Sequence, residues 1–166
     1  NDKLYADFTD SYRDTLRAFY ADYQQQLNAI VWDSLTPEQR SNALVLRWEL
    51  DLGKQATQLP FNLMPLDQFL GLHLKMGQYA SGQGIQPFKT VNDYDNWLKR
   101  VTAFSVWADS AIVYFRRGMQ QGIVLPKALV VKILPQLEAM TTAIPDSHVY
   151  FGPIRLMPDS FPSAER

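Results

Sequence analysis

Cysteine is absent from the 166-residue chain. That absence removes disulfide staples, thiolate nucleophiles and cysteine-based zinc sites together. It leaves the compartment open, because a domain with a sufficient core needs no staples in either redox environment. Histidine is nearly absent too: the two present, His73 and His148, lie far apart, and neither has a second His or a carboxylate at helical metal-ligand spacing. No run approaches the ~18 apolar residues that span a bilayer. The amino end has no basic start followed by an apolar stretch, so any targeting peptide is expected to have been removed. Charge of one sign is also lacking, with 16 Lys and Arg against 17 Asp and Glu, a formal net charge of -1 and a sequence pI near 6.1. Such balance favours neither nucleic acid nor an anionic membrane surface as partner.

What is present is apolar surface in abundance, 46% hydrophobic and 13% aromatic residues, enough for a packed core at this length. Its periodicity is helical. Phe8, Tyr12, Leu16, Phe19, Tyr23, Leu27 and Ile30 recur at spacings of three and four, which predicts a long amphipathic helix with these residues facing the core. Thr36-Pro37-Glu38-Gln39 reads as a helix start, with Thr36 as N-cap, Pro37 in the first turn and Gln39 closing a capping box. That helix is expected to run to about Gln58, with Leu44, Trp48, Leu52 and Leu59 buried and Arg40, Arg47, Asp51, Lys54 and Gln58 opposite. Gly53 inside it costs about 1 kcal/mol relative to Ala, so close packing or a local bend is expected there.

The stretch from Pro60 to Pro87 is the least regular, broken by prolines and glycines, with a short helix expected from Leu66 to about Met76. Thr90, with Asp93 three residues on, caps the next helix, whose apolar positions run from Tyr94 and Trp97 to Phe115 and Met119, with a bend at Phe104-Ser105 able to split it. Gly118 and Gly122 are read as its terminators, and Leu129, Val130, Ile133, Leu134, Leu137 and Met140 as the buried side of a following helix that Pro135 kinks. The fold class is therefore all-α: long amphipathic helices in a bundle or helical array, with a helical region over 1–144 and a proline-rich, extended tail over 145–166.

Chemistry is hard to find in this pattern. Gly82-Gln83-Gly84 lacks the third glycine, the Lys-Ser/Thr pair and the preceding strand of a phosphate loop. Asp93 and Asp95 point to different sides of a helix and do not form an acid/base pair, and no serine stands in a nucleophile elbow. No catalytic, cofactor-binding or metal-binding residue is assigned. Two residues remain as candidate ligand or partner contacts. His73 sits on the apolar side of its helix, where a hydrogen-bonded core histidine is the competing reading. Arg116 adjoins the apolar stripe at Phe115 and Met119, where a tie to a neighbouring helix competes with carboxylate binding.

The ordered blocks Pro87-Phe88-x-Thr90-Val91-x-Asp93-Tyr94-x-x-Trp97-Leu98-x-Arg100-Val101, then Arg116-x-Gly118-x-x-x-Gly122-x-x-x-Pro126-Lys127, then Ile133-Leu134-Pro135-Gln136-Leu137 resemble the amino-terminal portion of the bacterial domain-of-unknown-function family numbered eight hundred and eighty-five. The correspondence is densest over 86–140 and extends over 35–157. The resemblance implies a mostly helical, exported, periplasmic or lipid-anchored parent several times longer than this chain. It also implies a zinc-metallopeptidase-like centre at a downstream His-Glu-x-x-Pro-Gly-His-His element, which has no counterpart here. By that resemblance the chain is a non-catalytic helical scaffold, zinc belongs to a downstream region, and its partners are the remainder of the parent chain and a peptide substrate. A free-standing helical binding or interaction module, using the 60–87 loop and exposed aromatics, is the alternative.

Overall fold

The computed structural model describes residues 4, 7–82, 85–141, 145–159 and 161. Gln83 and Gly84 of the glycine triplet and the end of the tail lie outside these. Among the described residues there are six α-helices and no strand: α1 (Asp10–Asn28), α2 (Pro37–Ala56), α3 (Leu72–Ala80), α4 (Val91–Gln120), α5 (Lys127–Glu138) and α6 (Gly152–Arg155), joined by short 3-10 turns. The all-α expectation holds. None of these helices is long and apolar enough to cross a membrane. The chain divides into two compact units, Asp7–Asn62 and the set Asn1–Ala6 with Leu63–Arg166.

The first unit is an antiparallel hairpin of α1 and α2. Thr9 caps α1 by accepting the Tyr12 N–H, and Thr36 and Gln39 form the expected reciprocal capping box on α2. Leu27, Ala43 and Leu50 form its buried cluster, with Tyr20, Trp32 and Leu35 packed against them. At Gly53 the helices approach so closely that a Cβ would lie 2.5 Å from the Tyr20 ring, so this glycine serves close packing. Arg13 closes the open end of the hairpin: its guanidinium donates to the carbonyls of Thr57 and Leu59 and to the Asn62 side chain, whose amide nitrogen donates in turn to Asp10. Those carbonyls are among the orphan acceptors that follow a helix end, and a cation placed there also complements the helix dipole.

The stripe assigned to the core of α2 faces outward. Leu44, Trp48 and Leu52 are 56%, 61% and 48% exposed, while the inward line is Ala43, Arg47, Leu50, Lys54 and Thr57. The reason lies in the partners on α1 and the turn that follows it. Small Ala43 and Gly53 let α1 approach, Arg47 stacks over the Trp32 ring at 4.7 Å, and the Lys54 ammonium donates to Gln24. Lys54 thus buries its stem and keeps its ammonium on a polar partner, whereas the Arg47 guanidinium lies on an aromatic face with its Nε buried and without a hydrogen-bond partner. On α1 the expectation is half met, with Leu16 and Leu27 inward but Phe19 and Tyr23 largely exposed, because Tyr20 takes the inward place.

In the second unit Leu72, Met76, Ala80, Phe88 and Trp97 form the core, flanked by Tyr94, Val101, Phe104, Trp107 and Tyr150. The helix expected from Leu66 begins instead at Leu72. The Asp67 carboxylate accepts the Phe69 and Leu70 N–H groups at 2.6 and 2.8 Å, closing an Asx-type turn that competes with helix. α4 runs unbroken past Phe104-Ser105, and α5 continues through Pro135, which lies on its exposed side.

Gly122 ends α4 and Gly118 does not: Gly118 lies inside the helix, and the two serve one motif. The Ile123 N–H donates to the Gly118 carbonyl at 2.8 Å and the Gly122 N–H to that of Met119 at 3.2 Å, a Schellman cap with Gly122 at φ +71°. The tail is not extended over 145–155. It forms two 3-10 turns and α6, folded back on α3 and α4. Pro153 falls in the first turn of α6, where its missing N–H is harmless, and its buried carbonyl accepts the Tyr94 hydroxyl at 2.9 Å.

Candidate functional site

Both sites of potential interest flank α4 in the second unit. On one side, Trp97, Leu98 and Val101 of α4 face Pro153, Ile154 and Phe161 of the tail across an open, largely apolar groove of about 490 Å3. At the start of the same helix, Gln86, Asp93, Asn96 and Arg100 border a smaller polar pocket of about 240 Å3. Positions 93, 96 and 100 share a helical face, so one strong N-terminus presents a carboxylate, an amide and a guanidinium together. Thr90 and Asp93 build that N-terminus by a reciprocal capping box. The Lys89 N–H, and then that of Thr90, hold the Asp93 carboxyl below the usual carboxylate range.

His73 is 1% exposed. Its Nε2 donates to the Gln136 side-chain oxygen at 2.9 Å, and the Gln136 amide donates onward to the Gln68 carbonyl, which ties α5 to the turn before α3. His73 Nδ1 is buried without a hydrogen-bond partner. Arg116 is exposed on α4. Its neighbour Arg117 is the residue that meets an aromatic face, 4.6 Å above the Tyr114 ring. The structure therefore brings neither candidate to the groove or the pocket. His148 uses both nitrogens locally, accepting the Tyr150 N–H at Nδ1 and donating from Nε2 to the Met140 carbonyl.

The polar pocket escaped sequence reasoning because its parts look ordinary. Gln86 precedes a proline, Asn96 and Arg100 sit among aromatics, and Asp93 reads as a cap. The one available signal was polar residues falling on the buried face of α4: Asn96 and Arg100 are 6% and 4% exposed. On the other side of the helix, burial raises the Tyr94 and Tyr150 hydroxyls above the usual tyrosine value, so both stay neutral at physiological pH.

These features define an all-helical protein region with a capped N-terminal pocket and an apolar groove. The family model for "Bacterial protein of unknown function" (DUF885) matches residues 1–164, and the chain belongs to that family. No curated protein sequence and no solved structure matches it. The zinc implied by the resemblance finds no fit here: among the described residues no group of three His, Cys, Asp or Glu side chains could hold a metal ion. His73 and His148 are moreover engaged with Gln136 and with local backbone respectively.

Proposed function

We propose that this chain is the amino-terminal helical scaffold of a longer, exported metallopeptidase-like protein, itself non-catalytic, with α4 contributing one wall of a substrate cleft. The observation that carries this reading is the outward apolar ridge of α2. Leu44, Trp48 and Leu52 lie at successive i, i+4 positions, each about half exposed or more, with Val45 beside them at 61%. Soluble monomers rarely leave contiguous apolar patches beyond a few hundred Å2 open to water. Such a ridge suits burial against further protein, and the remainder of the parent chain is the proposed cover. The open apolar groove on α4 supports the cleft-wall role in the same way.

The test is oxidative footprinting of Trp48 in purified residues 1–166 and in the full parent protein, together with zinc content and peptidase assays of the fragment. The reading expects Trp48 to be labelled in the fragment and protected in the parent, with no stoichiometric zinc and no peptide hydrolysis by the fragment. Tight one-to-one zinc or peptidase activity in the fragment overturns it. A free-standing binding module is the second reading, favoured by Phe69 and Leu70, 76% and 72% exposed on the turn that Asp67 closes. Equal labelling of Trp48 in fragment and parent would shift the weight to that reading.

A further inference from the structure

The apolar groove beside α4 is walled by aromatic rings in two nearly perpendicular pairs. The Tyr94 and Phe161 centroids lie 5.4 Å apart with the planes at 72°, and those of Trp97 and Tyr150 lie 5.6 Å apart at 87°. Rings set edge to face form a corner, and a group seated in it meets two π faces at once. These corners are built on fixed parts of the fold. The Tyr94 hydroxyl donates to the Pro153 carbonyl at 2.9 Å, which pins its ring to α6, and Trp97 is packed into the core at 5% exposure. Tyr150 is anchored by its own N–H, which donates to His148 Nδ1 at 3.0 Å.

Charge selects among the ligands that such walls would accept. Among the described residues that line the groove, Asp95 is the one charged side chain; it is exposed and forms no hydrogen bond or ion pair with any described residue. Lys99, one turn on, neither lines the groove nor pairs with it. A carboxylate beside π faces repels anions, does nothing for a neutral oil, and adds to the attraction that an aromatic face within about 6 Å exerts on a cation. An ammonium sheathed in methyl groups suits both the charge and the apolar walls. We infer that this groove binds a free organic cation, a quaternary ammonium carrying an apolar chain, with its head in the aromatic corners toward Asp95 and its chain along Leu98, Val101, Ile154 and Met157. The groove, at about 490 Å3, has room for head and chain together. This assignment goes beyond the scaffold reading and needs only the groove itself.

The experiment is NMR titration of the isotopically labelled chain with hexyltrimethylammonium, 1-hexanol and hexanoate in separate arms, read at the Trp97 indole N–H. The ammonium is expected to shift that signal saturably, and the alcohol and the carboxylate to bind about tenfold more weakly or worse. Asp95→Asn should weaken the ammonium about fivefold and leave hexanol unchanged. It gives up no hydrogen bond or ion pair with a described residue, so its thermal midpoint should match that of the parent chain. Tyr150→Leu, which keeps an apolar side chain and removes a hydroxyl that has no hydrogen-bond partner, should weaken the ammonium about tenfold by deleting one face of a corner. Phosphatidylcholine vesicles, which carry the same head on a membrane, should not sediment the chain, since the groove takes head and chain together. Four results overturn the inference: no shift at about 50 mM ammonium, well above the millimolar range; equal affinity for hexanol, which marks a merely oily surface; undiminished ammonium binding in both variants; or sedimentation with the vesicles, which assigns the groove to a membrane surface.

Discussion

The Gly118 position gives a prediction whose sign, not only its size, tests the packing. In an open helix interior Gly→Ala stabilises by roughly 0.5–1 kcal/mol. Here an added Cβ would stand 2.5 Å from the Ile123 carbonyl oxygen and 3.0 Å from that of Leu63. Neither neighbour is a flexible side-chain tip. The Ile123 carbonyl belongs to the residue whose N–H closes the cap onto Gly118, so moving it loosens a bond of about 0.5–1.5 kcal/mol in addition to an overpacking cost of about 1–3 kcal/mol. Gly118→Ala is therefore expected to destabilise by about 1–3 kcal/mol net after its helical gain. Gly122→Ala meets nothing within 4 Å and pays only for its left-handed backbone, about 1–2 kcal/mol. Urea and thermal melts followed by circular dichroism measure both, each kcal/mol moving the midpoint by about 2–4 °C at this size. A Gly118→Ala variant more stable than the parent would refute the close approach of the returning chain, and with it this account of the paired glycines.

The inverted α2 face is checked by contrast: Leu50→Ala should cost about 2–5 kcal/mol, whereas Leu44→Ala should stay within about 0.5 kcal/mol of the parent chain in the same melts. Replacing Arg13 by Met should destabilise the α1–α2 hairpin by about 1.5–3 kcal/mol, since charged donors would leave the Thr57 and Leu59 carbonyls, and hydrogen exchange at the end of α2 should speed up. Asp93 sets a pH dependence. Its folded pKa lies below the unfolded value of 3.8, so its stabilising contribution is fully present above that value and is lost as pH falls through the lower, folded one. Asp93→Asn should flatten that acid limb in a pH series of melts.

The helical class, the capping box on α2, the Thr90 cap on α4 and the glycine stop at Gly122 were legible because each depends on a few neighbouring residues. Thr36 with Gln39, and Thr90 with Asp93, specify their helix starts whatever packs nearby. Which face of a helix turns inward was not legible on α2, because it carries two competing stripes and the decision is made by the surface of α1. Trp48 and Leu52 promised the larger burial, but Ala43 and Gly53 permitted the closer approach. The turn before α3 failed for a local reason, since Asp67 offered its own hydrogen bonds to Phe69 and Leu70 ahead of helix formation. In the tail, prolines argued against a long helix and said nothing against a one-turn helix beginning beside Pro153. The polar pocket stayed hidden because burial of Asn96 and Arg100 is a property of the assembled fold. Arg116 and His73 drew attention by type, while the structure gives the aromatic contact to Arg117 and ties His73 to Gln136.

The scaffold reading stands or falls on what this chain is attached to. Intact mass of the endogenous polypeptide, read with its coding sequence past Arg166, tests it most directly. The account predicts a product several times longer that contains a downstream His-Glu-x-x-Pro-Gly-His-His element. An endogenous protein that ends near Arg166, with no zinc motif following, would contradict it.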